Sequence, residues 1–212
     1  MAYLVWHSEE FLVALHKHQK EVHALMRMCT DLIVSFVREQ RRVATSLGAE
    51  FVPCHYPPIW MPEGWGIAVS DDCAALLSPR QYAQFALPYL NEISDAFGGV
   101  FVHSCGDFTH NLENLEKVRN LRGIDFAVGE QPFGPVADRF SGRCVLSVRL
   151  GLDKERRFAS IPEWVEYVVR SAPTPRGLYL TVNTWYSSPE SGRPWEPADL
   201  ERIYSIIGRD TR

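Results

Sequence analysis

The sequence predicts an α/β fold built on a parallel sheet, and three observations carry that reading. Short apolar runs recur at Ile67 to Ser70, Val100 to His103, Ile124 to Val128, Cys144 to Val148 and Leu178 to Val182. These runs show little alternation, as expected of strands covered on both faces. A segment with helical spacing or helix-start residues follows each one, and strand–helix units in series imply right-handed crossovers between parallel strands. The pattern alone leaves a doubly wound sheet and a barrel both open. No Gly-x-Gly-x-x-Gly loop follows any of the strands, which argues against a dinucleotide site.

Each element has its own signal. Residues 19–47 form one long helix, because Val22, Leu25, Met26, Cys29, Leu32, Ile33, Phe36, Val37 and Val43 recur at steps of three and four, and Gly48 follows as a stop. His16, His18 and His23 read as partly exposed helix histidines rather than ligands. The stretch Phe51 to Gly66 is rich in Pro, Gly and aromatics and cannot be helical. It is long for a connection, so it either lines a site, with Tyr56 and Trp60 as substrate-contact candidates, or packs as a surface loop. Ser78-Pro79 starts a helix that runs to about Phe97 with a bend at Pro88, and Gly98-Gly99 breaks it. Further helices are expected from about Thr109 to Arg119, after the loop Gly129 to Gly134 up to Phe140, from Pro162 to Arg170, and from Pro197 to Ile207.

Size and charge narrow the function classes. The chain has 212 residues, enough for a single domain spanning 1–212. A net charge of -4 gives no electrostatic reason for nucleic-acid binding. No apolar run approaches the roughly 20 residues of a membrane span. The first residues carry Glu9 and Glu10 and no basic stretch ahead of an apolar one, so they do not read as a secretory signal. Five cysteines, an odd number and widely spaced, argue against a disulfide framework and for a cytoplasmic setting.

The sharpest local signal is Val100-Phe-Val-His103-Ser-Cys105-Gly106-Asp107. Side chains two apart on extended backbone point the same way, so imidazole and sulfur can address one zinc ion. In parallel α/β folds such strand ends carry the active site. The bland alternative is a buried histidine bonded to backbone beside a small apolar cysteine. Glu130, Asp125 and Cys144 are the further donors weighed. Glu130 is favoured because it follows the next strand, whereas Cys144 starts its strand and belongs at the opposite end. Asp71 and Asp72 follow the first strand, and one of them is expected to act catalytically. Asn183 and Trp185 follow the last strand and are candidates for substrate contact.

Taken together, Ser70-Asp-Asp-Cys-Ala-Ala-Leu-Leu-Ser-Pro, Phe85-Ala-Leu-Pro-Tyr-Leu, Val102-His-Ser-Cys-Gly-Asp and the tail from Asn120, Leu-Arg-Gly-Ile-Asp-Phe, resemble the uroporphyrinogen decarboxylase superfamily. The resemblance runs from about Glu21 to the C-terminus and is closest to its cobalamin-dependent branch, the methylcobamide:thiol methyltransferases. It implies a (β/α) TIM-type barrel, here incomplete, with about five units behind a long helix. It further implies zinc held by His103, Cys105 and Glu130 and a corrinoid as co-substrate or partner-bound group. The function so implied is methyl transfer from the corrinoid to a thiol. The late cysteine ligand of that branch has no counterpart: Asn183 and Thr184 stand there, leaving either no metal or a three-donor site with an open position. Two alternatives stand beside methyl transfer. One is cofactor-free decarboxylation of a tetrapyrrole carboxylate. The other is a non-catalytic truncated barrel that binds a corrinoid or a partner subunit. An incomplete barrel also implies self-association or a missing N-terminal half.

Overall fold

The structure, a computed structural model, describes residues 2–52, 59–151, 158–182 and 197–210. Among the described residues, three helices precede the sheet: α1 (Ala2–Val5), α2 (Ser8–Lys17) and α3 (Gln19–Ser46). Helix α3 forms where the apolar periodicity places it. Val22 and Cys29 are buried, and Leu25, Met26, Ile33 and Val37 pack partly covered against the core. It ends where Gly48 takes a left-handed φ of 66°.

The chain then alternates through β1 (Ile67–Ser70), α4 (Pro79–Phe85), α5 (Leu87–Phe97), β2 (Val100–His103), α6 (Leu112–Leu115), β3 (Leu121–Ala127), α7 (Phe133–Phe140), β4 (Val145–Arg149), α8 (Ile161–Ser171), β5 (Leu178–Thr181) and α9 (Pro197–Asp210). The strands lie in the order β1-β2-β3-β4-β5, every neighbouring pair parallel. This order decides what the sequence pattern left open. A doubly wound sheet reverses direction at a switch point and so carries helices on both faces. Here every crossover steps the same way, and crossovers of one hand then stack their helices on one face. The architecture is an incomplete TIM-type barrel.

The two faces of the sheet differ in chemistry. Val100, Val102, Ile124, Phe126, Leu146 and Val148 point toward the helices and belong to the main core. Residues one step along each strand point to the inner face. There Ala68, Phe101 and Met61 form a small separate cluster, with Ile59 and Val145 against it. Beyond that cluster, toward the carboxyl ends, the register runs Ser70↔His103, His103↔Asp125, Asp125↔Ser147. The inner face therefore turns from apolar to polar within one row.

Some elements depart from the expected boundaries. Instead of one helix bent at Pro88, α4 and α5 meet at Ala86, and Pro88 sits in the first turn of α5, where its missing N–H costs nothing. The start at Ser78 is a full capping box: Ser78 Oγ accepts from Gln81 N at 3.3 Å, and Gln81 Oε1 accepts from Ser78 N at 3.2 Å. The expected helix from Thr109 to Arg119 shrinks to one short 3₁₀ turn, Thr109–Asn111, and the four residues of α6. Buried Asn111 donates its amide to the carbonyls of Ala74 and Leu77, and Asn114 donates to Pro79. Those bonds tie the segment to the turn before α4, and the chain leaves through Asn120 at φ 47°. Strand β3 consequently starts at Leu121, three residues before the expected Ile124.

Candidate metal centre at the carboxyl ends of the strands

Strands β1 and β2 finish side by side, and the Asp71 N–H extends their ladder to the His103 carbonyl at 2.7 Å. Beyond His103 the backbone must turn back sharply. Gly106 makes this possible with φ 76°, a conformation L side chains rarely adopt, and a Cβ there would stand 3.0 Å from the Ala75 Cβ. The turn brings Cys105 Sγ to 3.4 Å from His103 Nε2. Asp72 closes the group from β1. Its Oδ1 accepts the Cys105 N–H at 2.8 Å and lies 3.7 Å from His103 Nε2. The donor atoms of Asp72, His103 and Cys105 all lie within 4.8 Å of one another.

These separations test the fit to a metal. Ligands at bonds of about 2.0–2.3 Å in a tetrahedron stand roughly 3.3–3.8 Å apart. The two distances to His103 Nε2 fall in that range, and carboxylate, imidazole and thiolate all suit zinc. The 3.4 Å contact is also a sulfur–nitrogen hydrogen bond without any metal.

The far nitrogen of the imidazole is engaged as well. His103 is 3% exposed, and its Nδ1 lies 2.6 Å from Asp125 Oδ1. Asp125 is fully buried. Ser147 Oγ donates to its Oδ2 at 2.7 Å, and Arg149 Nε donates to its Oδ1 at 3.1 Å. Burial pushes the Asp125 carboxyl up, but the bonds from His103 and Ser147 and the nearby Arg149 guanidinium outweigh this and hold it below the usual carboxylate range. The Cys105 thiol is pushed the other way. Partial burial raises it, the negative Asp72 and Glu130 raise it further, and Arg149 opposes them only in part. The thiol is therefore protonated at neutral pH unless a cation joins it.

The remaining candidates separate clearly. Of the adjacent acids, Asp72 faces the donor group, whereas Asp71 accepts the Tyr82 hydroxyl at 2.6 Å. Burial pushes the Asp71 carboxyl up, although the bond from Tyr82 opposes it. Glu130 does not join the three donor atoms: its Oε2 accepts the Gly106 N–H at 3.0 Å and braces the turn. Asp125, weighed as a donor, addresses the wrong side of the imidazole for that role. Cys144 stands just before β4, at the amino ends of the strands. Trp60 is 56% exposed, and its indole N–H is bonded to Glu50 near the end of α3, where the chain leads into the amino end of β1. It is not brought to the three-donor group. Tyr56, Asn183 and Trp185 lie outside the described residues. The sequence reading missed the bracing by Ser147 and Arg149, because their relation to Asp125 depends on strand register.

Residues 64–132 match the uroporphyrinogen decarboxylase (URO-D) family. The chain is related to the uroporphyrinogen decarboxylase superfamily. The URO-D stretch runs from the approach to β1 as far as α7 and contains Asp72, His103, Cys105, Asp125 and Glu130. Among solved structures, a methyltransferase from Methanosarcina mazei is similar to this chain, with a TM-score of 0.62 and 13% identity. The match covers 99% of this chain and 55% of that one, so the URO-D-related chain spans about half its length. At that identity the likeness shows the fold. No curated protein matches the chain.

Proposed function

We propose that this chain is a URO-D-fold methyltransferase that holds zinc through Asp72, His103 and Cys105 and passes a methyl group from a methylcorrinoid to a thiol. One observation carries the reading: three different metal-donor side chains meet at the carboxyl ends of β1 and β2, and the imidazole's second nitrogen is already occupied by a buried carboxylate. The similar fold of the methanogen methyltransferase supports the reaction class. Zinc, when bound, supplies the charge that keeps a thiol ionised at neutral pH. The chain's own residues do the rest. Asp125 holds the Nδ1 proton of His103, which turns the Nε2 lone pair toward Cys105 and Asp72. The Gly106 turn, braced by Glu130, holds Cys105 at the exposed rim, within reach of a large corrinoid or corrinoid protein. In the transfer the thiol loses its proton, its sulfur bonds the methyl carbon, and the cobalt–carbon bond breaks with its electron pair left on cobalt.

The alternative, decarboxylation of a tetrapyrrole acid, needs arginines open to substrate carboxylates; of the candidates, Arg149 is engaged with Asp125 and Arg143 with Glu116, and Arg156 and Arg157 lie outside the described residues. The test is metal analysis after stripping and reconstitution. We expect one equivalent of zinc on the wild-type protein, lost in His103→Ala and Cys105→Ala, together with thiol-dependent demethylation of methylcobalamin. Wild-type protein that takes up no zinc, or that releases coproporphyrinogen from a uroporphyrinogen substrate, overturns the proposal.

A further inference from the structure

We propose that Asp125, supported by Ser147 and Arg149, is the positioning group that decides which nitrogen of His103 faces the metal position; the inference rests on the zinc reading above for its function but not for its geometry. The three supporting side chains come from β3 and β4, and two of them occupy the same cross-strand row as His103. Toward the amino ends the inner face is apolar, through Ala68, Phe101 and Val145. A carboxylate in such surroundings is costly unless each oxygen is satisfied. Here Oδ2 takes the Ser147 hydroxyl, and Oδ1 takes both the Arg149 Nε–H and His103 Nδ1. Both oxygens already accept from N–H or O–H donors, so the ring nitrogen 2.6 Å from Oδ1 joins them as a third donor, and Arg149 Nη2, 3.4 Å from that nitrogen, is a charge contact rather than a bond to a lone pair. The neutral imidazole is thereby held as the Nδ1–H tautomer, with its free lone pair on Nε2. Asp125 is fully buried behind the imidazole and cannot touch a substrate at the mouth. Its part is played through His103, as with other carboxylates that back a metal-binding histidine. Arg149 then serves as the counter-ion of Asp125 rather than as a binder of substrate acids.

The experiment has two readouts on the full chain. The first is the ¹⁵N spectrum of the His103 imidazole in metal-free protein at mildly alkaline pH. Wild type should show the proton on Nδ1. In Asp125→Asn the new amide can donate to Nδ1, so population should move to the Nε2–H form. The second is zinc affinity by competition with a chromophoric chelator, where Asp125→Asn should lose about 10- to 100-fold. Ser147→Ala should lose less. Ser78→Ala, which removes a helix cap away from the site, should leave both readouts at wild-type values while lowering stability, so a general loss of fold is told apart from lost positioning. If the wild type takes up no zinc yet the tautomer switches in Asp125→Asn, the positioning role stands and the zinc reading falls. If the wild type binds zinc and Asp125→Asn changes neither tautomer nor affinity, the positioning role is overturned and the zinc reading survives.

Discussion

The glycine at position 123 is a test of how tightly the inner face is packed under the site. Gly123 lies in β3 directly beside Phe101 of β2. A Cβ added there would fall 2.2 Å from Phe101 Cε2, 2.6 Å from Cζ and 2.7 Å from Cδ2. Carbon atoms in contact prefer about 3.5–4.0 Å, so the ring would have to withdraw by more than about 1 Å. It has little room to do so, being 2% exposed and packed among Met61, Ala68 and Val145. Overpacking of this kind costs about 1–3 kcal/mol. For a chain of this size that corresponds to a fall in Tm of roughly 2–12 °C. Equilibrium urea unfolding should show a lower midpoint with an unchanged slope. A double-mutant cycle supplies the internal check. Phe101→Leu destabilises the glycine background by opening a gap, but in the Gly123→Ala background it makes room for the new methyl, so the two changes should couple favourably by about 0.5–3 kcal/mol. A Gly123→Ala protein within about 0.5 kcal/mol of wild type and additive with Phe101→Leu would refute this account of the inner face.

Two further outcomes follow from the titrating groups. Asp71 has a raised folded-state pKa, so its contribution to stability is complete below the unfolded value near pH 4 and is lost as pH rises through the folded value; Asp71→Asn, which still accepts the Tyr82 hydroxyl, should therefore be more stable than wild type at pH 7 and lose that advantage below about pH 4, as read by chemical denaturation at both pH values. Among the described cysteines Cys105 is exposed, whereas burial pushes the Cys73 and Cys144 thiols up to about 12; an alkylating reagent followed by peptide mass analysis should modify Cys105 first of these, faster as pH rises, and added zinc should protect it.

Local signals carried the parts of this fold that depend on local chemistry. The bounds of α3 and the Ser78-Pro79 start of α4 stand within a residue of where the pattern puts them, although Leu32, Phe36 and Val43 of the α3 stripe are exposed rather than packed. His103 and Cys105 are two apart, and the Gly after them announces a turn, so their meeting was legible. What was not legible depends on register. Nothing in the sequence says that Asp125 lies opposite both His103 and Ser147, because strand pairing is set by the whole sheet. The adjacency of Asp71 and Asp72 likewise hid which would face the site; the answer came from buried Tyr82, eleven residues on, which takes one carboxylate and leaves the other. The helix expected from Thr109 failed for a similar reason, since Asn111 and Asn114 bond to carbonyls more than thirty residues earlier.

Strand β2 shows Val100 and Val102 to the helices and Phe101 and His103 to the interior. Loss of a single residue from it would exchange the two sets, driving an imidazole into oil and presenting valine to the donor cluster. Point substitutions on one side leave the other side nearly untouched. Such a strand tolerates replacement one side at a time, within the volume its neighbours leave, and hardly tolerates insertion or deletion at all.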